Sequence, residues 1–146
     1  MKLKQISILI ENSPGRLYEV TRALGDEGIN LRALNLVDTG DFGKLRLLVS
    51  DIARTRQIVM QHHWPARVDE VVAVEIEDKP GHLANMLEPL KESGINVVHM
   101  YAYAGFSSGK AVMIFRFNDI DKAIGIIMAK GYKILDADAF GILSQS

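Results

Sequence analysis

Two loops hold most of the side chains in this chain that could meet a small ligand. The first reads Asn12-Ser13-Pro14-Gly15-Arg16-Leu17. The second, 66 positions on, reads Asp78-Lys79-Pro80-Gly81-His82-Leu83. Each stands before a segment with helical apolar spacing, and a helix N-terminus offers unpaired N–H groups and a partial positive charge. Such an end suits an anion, for instance the α-carboxylate of an amino acid. Gly15 and Gly81 have no Cβ, which lets backbone and ligand approach closely. Asn12 in the first loop, and Asn30 and Asn96 after the two helical segments, can both donate to and accept from a ligand's charged groups. The candidate binding residues are Asn12, Ser13, Gly15, Arg16, Leu17 and Asn30 in the first half, and Asp78, Lys79, Gly81, His82, Leu83 and Asn96 in the second. A folding role is the competing reading, because Pro-Gly before a helix and Gly-Ile-Asn after it are also good turn chemistry.

Other chemistries find less support. "GFSSGKA" at 105–111 has three residues between its glycines where a phosphate loop has four, and Ala111 where Ser or Thr must follow the Lys. With "GDFGKL" at 40–45 it reads as a turn between strands. His62, His63, His82 and His99 form no metal-binding spacing. There is no cysteine, and no Ser–His–Asp or paired-carboxylate set can be assembled. The sequence therefore predicts no catalytic residue, no metal site and no cofactor. His99, Tyr101 and Tyr103 alternate, so they share one strand face. RNA-binding platforms carry aromatic rows of this kind, but the aromatic-glycine motifs and basic surroundings are missing, and an interface role fits better.

The elements that position these loops occur twice. Residues 10–31 and 76–97 align without a gap, and nine of the 22 positions are identical. Residues 3–11 and 71–77 alternate in polarity and are rich in Ile and Val, as strands are. A helix follows each loop, with Leu17, Val20, Thr21 and Leu24 on one stripe and Leu83, Met86, Leu87 and Leu90 on the other. Asn12 or Ser13 is expected to cap the first helix, with Pro14 in its first turn, and Asp78 and Pro80 repeat that logic. Gly28 and Gly94 end the helices. Pro89 lies inside the second copy's helix and should kink it or remove a hydrogen bond, at about 3 kcal/mol. Strands at 29–38 and 45–50, a helix at about 52–62 and a short strand at 66–69 complete the first copy. The second copy has strands at 95–104 and 111–117, a helix at about 119–130 and a strand at 132–136. A bend is expected at Asp69–Glu70, and a spare strand at 139–143 that could pair with another unit or another chain.

The predicted class is α+β: two tandem ferredoxin-like βαββαβ units, residues 1–69 and 70–146, each an antiparallel sheet with both helices on one face. Units this small are marginal alone, and their open faces and edges need cover. At 146 residues and a net charge of −1, the chain shows no electrostatic footprint for nucleic acid. No stretch approaches the roughly 18 apolar residues of a membrane span. The N-terminal apolar stretch is short and interrupted by polar residues, unlike a signal peptide. The expected location is the cytoplasm, without nucleic-acid or membrane partners.

The pattern Glu-x-x-Pro-Gly-x-Leu, an apolar helix, then Gly-Ile-Asn, resembles the ACT domain, and it occurs here twice. The resemblance spans residues 1–143 and implies a stand-alone tandem ACT protein: a non-catalytic regulatory module that binds a small ligand, most often an amino acid, near an interface between domains or subunits. It implies a homodimer and a partner enzyme of amino-acid metabolism. In serine-binding ACT domains two Asn residues contact the ligand, and by resemblance those roles fall on Asn12 and Asn30. The His before the loop in those relatives is Ile10 here, a departure that leaves the amino acid open. "ILIENSPGRLYEV" is also similar to the start of the small regulatory subunit of acetolactate synthase, which implies the alternative of an enzyme subunit with no ligand of its own. A small enzyme on a ferredoxin-like scaffold is the third reading. Asp78 replaces Asn12 in the second copy, so the two loops are expected to bind unequally.

Overall fold

The computed structural model describes residues 1–104 and 109–143, and the turn at 105–108, read above as a β-turn, lies outside them. The elements run β1 (Leu3–Glu11), α1 (Arg16–Asp26), β2 (Leu31–Asp38), β3 (Phe42–Val49), α2 (Ile52–Gln61), β4 (Ala66–Glu77), α3 (His82–Glu92), β5 (Val97–Ala104), β6 (Lys110–Phe117), α4 (Ile120–Ala129) and β7 (Lys133–Leu135). The chain groups into two compact units. One is Lys4–Asp69 with the C-terminal segment from Ala137, and the other is Glu70–Asp136 with Met1–Leu3.

In the N-terminal unit the strand order is β2-β3-β1-β4, with β3 antiparallel to both of its neighbours. Alternation decides the faces. Ile6, Ile8 and Ile10 of β1 and Leu45, Leu47 and Val49 of β3 meet Val20 and Leu24 of α1 and Ile58 and Val59 of α2 in one core. The C-terminal unit repeats the plan in the order β5-β6-β4-β7, antiparallel throughout. Its core joins Val72, Val74, Ile76, Phe115 and Phe117 to Met86 and Leu90 of α3 and Ala123 and Ile127 of α4. Both units are thus βαββαβ, with two helices on one sheet face. His99, Tyr101 and Tyr103 do share a face, opposite Arg116, Ile114 and Val112.

Two expectations are corrected. The bend at Asp69–Glu70 does not form, because β4 runs unbroken through 12 residues. Asp69 pairs with Arg67 two residues earlier at 2.8 Å, so its charge is met along an extended strand and breaks nothing. The spare strand at 139–143 is instead a single 3-10 turn, Asp138–Phe140, ended by Gly141 at φ 65. The turn uses the N–H groups of Gly141 and Ile142 internally, through Asp138 O and Ala137 O, so they cannot join a sheet. Phe140 and Ile142 are buried, and the Leu143 N–H donates to Ser50 O at 2.9 Å. Pro89 sits inside α3 without ending it. It leaves the Asn85 carbonyl without its helical donor, at an exposed position where water can supply one. Among the described residues no helix is long and apolar enough to cross a membrane.

Candidate functional site

The repeated Pro-Gly pair forms the centre of a tight turn. Arg16 N–H donates to Ser13 O at 3.3 Å, and Gly15 has φ 88 and ψ −12. His82 N–H donates to Lys79 O at 3.3 Å, and Gly81 has φ 83 and ψ −12. These are type II turns: proline fits the second position, and the positive φ of the third requires glycine. A Cβ at either glycine would meet nothing within 4 Å. Backbone conformation therefore fixes the glycine, and the space beside it is open.

The helices begin only after these turns, so the expected caps by Asn12, Ser13 and Asp78 do not form and Pro14 precedes the helix. Gly15 and Gly81 occupy the cap positions, with no side-chain hydrogen bond to either helix start. α2 and α4 differ, because Asp51 accepts from Arg54 N–H and Asp119 from Lys122 N–H. The two helices that follow the repeated loop are the two without a side-chain cap. Glu19 N–H returns to Gly15 O at 2.9 Å, and Asn85 N–H to Gly81 O at 3.0 Å. The first-turn N–H groups of Leu17 and Tyr18, and of Leu83 and Ala84, have no acceptor one turn back within the helix.

Asn12 serves the loop first. Its Nδ2 donates to Gly40 O at 2.9 Å and to Asp38 Oδ1 at 3.2 Å, tying the loop to the β2–β3 turn. With both amide hydrogens engaged, Oδ1 remains as an acceptor. Beside it opens a cavity of about 220 Å³, whose lining includes the apolar Ile10, Leu17 and Leu36 and the polar Asn12, Ser13 and Asp38.

Asn30 is elsewhere. Its N–H donates to Ser50 Oγ and its carbonyl accepts from Ser50 N–H, both at 2.9 Å. It stands at the start of β2, whereas Asp38, which holds Asn12, stands at the end of that eight-residue strand. The two lie roughly 25 Å apart along the strand. Asn96 is placed likewise, bonded to Asn118 at the far end of β5 from the second loop. Within a unit the sheet separates each loop from its second Asn.

The sequence profile of the ACT domain pair matches residues 1–142. The chain belongs to that family. A solved protein from Bacteroides thetaiotaomicron is 35% identical, with a TM-score of 0.90 over 98% of each chain. The regulatory subunit of aspartate kinase from Thermus thermophilus shares the fold at 16% identity and a TM-score of 0.61, over 86% of this chain and 90% of that one. Its Thermus flavus counterpart does so at 17% and 0.62, over 86% and 88%. No match was found among curated proteins.

The two loops of this ACT pair differ in charge. Arg16 lies between Glu19, at 2.9 Å, and Glu11, at 3.5 Å. The hydrogen bond to Glu19, then the charge of Glu11, raises its pKa further. In the second loop Glu77 meets Lys79 at 3.2 Å and Lys110 at 3.7 Å. The hydrogen bond from Lys79, then its charge and that of Lys110, lowers the Glu77 pKa. The first helix start is flanked by Glu11, Arg16 and Glu19, and the second by Glu77, Lys79 and His82, with no acid in its first turn. Sequence reasoning missed Glu11, Leu36 and Asp38. Asp38 and Leu36 reach the loop only through the β2–β3–β1 register, a signal that no local motif carries.

Proposed function

We propose that this ACT pair is a non-catalytic regulatory module that binds an amino acid or a related small carboxylate at the β1–α1 loop. The observation that carries this reading is the uncapped helix start beside the 220 Å³ cavity of the N-terminal unit. The ligand carboxylate would take the free N–H groups of Leu17 and Tyr18. Its ammonium would face Asp38 and Asn12 Oδ1, and its side chain would lie along Ile10, Leu17 and Leu36. Asn30 is remote from the loop of its own unit, so its proposed role is filled at the loop of another unit, and a homodimer with the site at an interface would bring one there. Binding there biases the relative placement of subunits, which is how such a module would signal. The likeness in fold to regulatory subunits of aspartate kinase supports a partner enzyme of amino-acid metabolism, and the cytoplasm as its place of action.

A thermal-shift screen of the twenty amino acids and common metabolic carboxylates tests the proposal. A ligand at 100 times its Kd stabilises by about 2.7 kcal/mol, an easily read shift. The Asp38→Asn variant should keep its fold and lose that shift. A screen in which nothing stabilises the protein defeats the sensor reading and leaves a pure interaction subunit, which a pull-down with a stable partner enzyme would reveal.

A further inference from the structure

A second cavity, of about 230 Å³, lies on the other side of the same loop, toward the end of α2. Its lining includes the acids Glu11 and Glu19, the aromatic residues Phe42 and Trp64, and His63. The two carboxylates already hold one cation, because the Arg16 guanidinium sits between them in the cavity wall. The Trp64 ring is fixed by stacking on His62, with centroids 4.3 Å apart and planes 9° from parallel.

The backbone around this cavity is repeated in the C-terminal unit, and the lining is not. His63 and Trp64 N–H groups bond Met60 O and Val59 O, as Gly131 and Tyr132 N–H groups bond Met128 O and Ile127 O. The first pair ends α2 and the second ends α4 by the same device, which requires a left-handed residue. Gly131 supplies it at φ 83, while His63 is driven to φ 57, where a side chain is strained. At the positions that repeat Glu11, Glu19 and Trp64 the C-terminal unit has Glu77, Asn85 and Tyr132. One copy has two acids and an indole where the other has one acid, an amide and a phenol.

We infer that the cavity between Glu11, Glu19 and Trp64 is a binding site for a small organic cation, an ammonium or guanidinium on a flat or apolar body. The cation takes the place of the Arg16 guanidinium between the two carboxylates, and its body lies against Trp64 and Phe42, where an aromatic face attracts positive charge. The site is distinct from the amino-acid cavity of the proposed function, which lies on the β2 side of the loop.

Trp64 is the single tryptophan of the chain, so its fluorescence reports on this cavity alone. The full-length protein is titrated with benzylamine and agmatine, and with benzyl alcohol and benzoate as neutral and anionic controls. Both amines should give a saturable change in emission, and the controls should bind at least roughly tenfold more weakly, as expected for loss of a charge-assisted contact. Glu19→Gln and Glu11→Gln should each weaken the amines by a similar factor. Both sites are exposed, so the variants are expected to fold, and their melting curves verify it. No saturable response to either amine, equal binding of benzylamine and benzyl alcohol, or folded Gln variants that bind amines normally would each overturn the inference.

Discussion

Exchange of two residues between the repeats should move stability in opposite directions. His63 and Gly131 do the same work, each ending a helix in the left-handed conformation with matched hydrogen bonds at 3.1 and 3.1 Å, and at 2.9 and 3.3 Å. A residue with a Cβ costs about 1–2 kcal/mol there. Glycine returns part of that through its larger backbone entropy loss on folding, about 0.5–1 kcal/mol. His63→Gly should therefore stabilise by about 0.5–1 kcal/mol, and Gly131→His should destabilise by a similar amount. A Cβ at Gly131 would meet nothing within 4 Å, so the second effect is backbone strain without steric clash. For a chain of this size 1 kcal/mol is worth about 2–4 °C in Tm. Urea denaturation and calorimetry on both variants and the double exchange provide the test. His63→Gly should also weaken amine binding, since it removes part of the cavity wall while leaving Trp64 in place. A destabilised His63→Gly variant, or two neutral variants, would refute the strain argument and with it the view that the side chain is retained for what it lines.

Four other outcomes can be checked directly. Asp51→Ala and Asp119→Ala should each cost about 1 kcal/mol in urea denaturation through loss of a helix cap, while Ser13→Ala should cost nearly nothing because no such cap exists at α1. Phe140→Ala should cost about 3–5 kcal/mol, although Phe140 lies only six residues from the C-terminus, because its side chain is fully buried. Asn12→Ala should leave the core intact but speed hydrogen exchange at residues 38–42, since it cuts the two bonds that tie the loop to the β2–β3 turn. The Glu77 pKa is depressed on folding, so its favourable contribution is present above the usual carboxylate range and fades as pH falls through the lowered value. Lys79→Ala should return the Glu77 titration, followed by NMR, toward its ordinary value.

The fold was legible because both units obey local rules twice over. Strand alternation in "LKQISILIE", the apolar stripes of α1 and α3 and the glycines at 28 and 94 each predict an element that is present. What failed turned on local details of backbone and charge. Asp69-Glu70 read as a bend because two charges interrupt an apolar run, but a salt bridge along the strand meets one of them. "AFGIL" read as a strand by composition, and Gly141 in the left-handed region turned it into a stop. Pro14 read as a first-turn residue, yet Pro-Gly prefers the centre of a type II turn, which moves the helix start to Arg16 and leaves it uncapped.

The candidate site shows the same divide more sharply. Residue type singled out Gly15 and Gly81 for their missing Cβ, and both take the positive φ of a type II turn. Residue type could not reveal that Asn30 is a whole strand away from Asn12, because Asn at that position fits both a ligand contact and the Ser50 hydrogen bonds that close the end of β2. The same limit applies to the charges. Arg16 and Lys79 both stood among the candidate binding residues, yet Arg16 is committed to two glutamates in its own unit, and Lys79 pairs with Glu77. A carboxylate ligand at the first loop must therefore displace or tolerate two nearby acids, whereas a cation meets them directly. Duplication preserved the turn, the uncapped helix and the left-handed stop, all of which are backbone requirements. The side chains around them differ, with the acid Glu19 in the first turn of one helix and no acid in the first turn of the other.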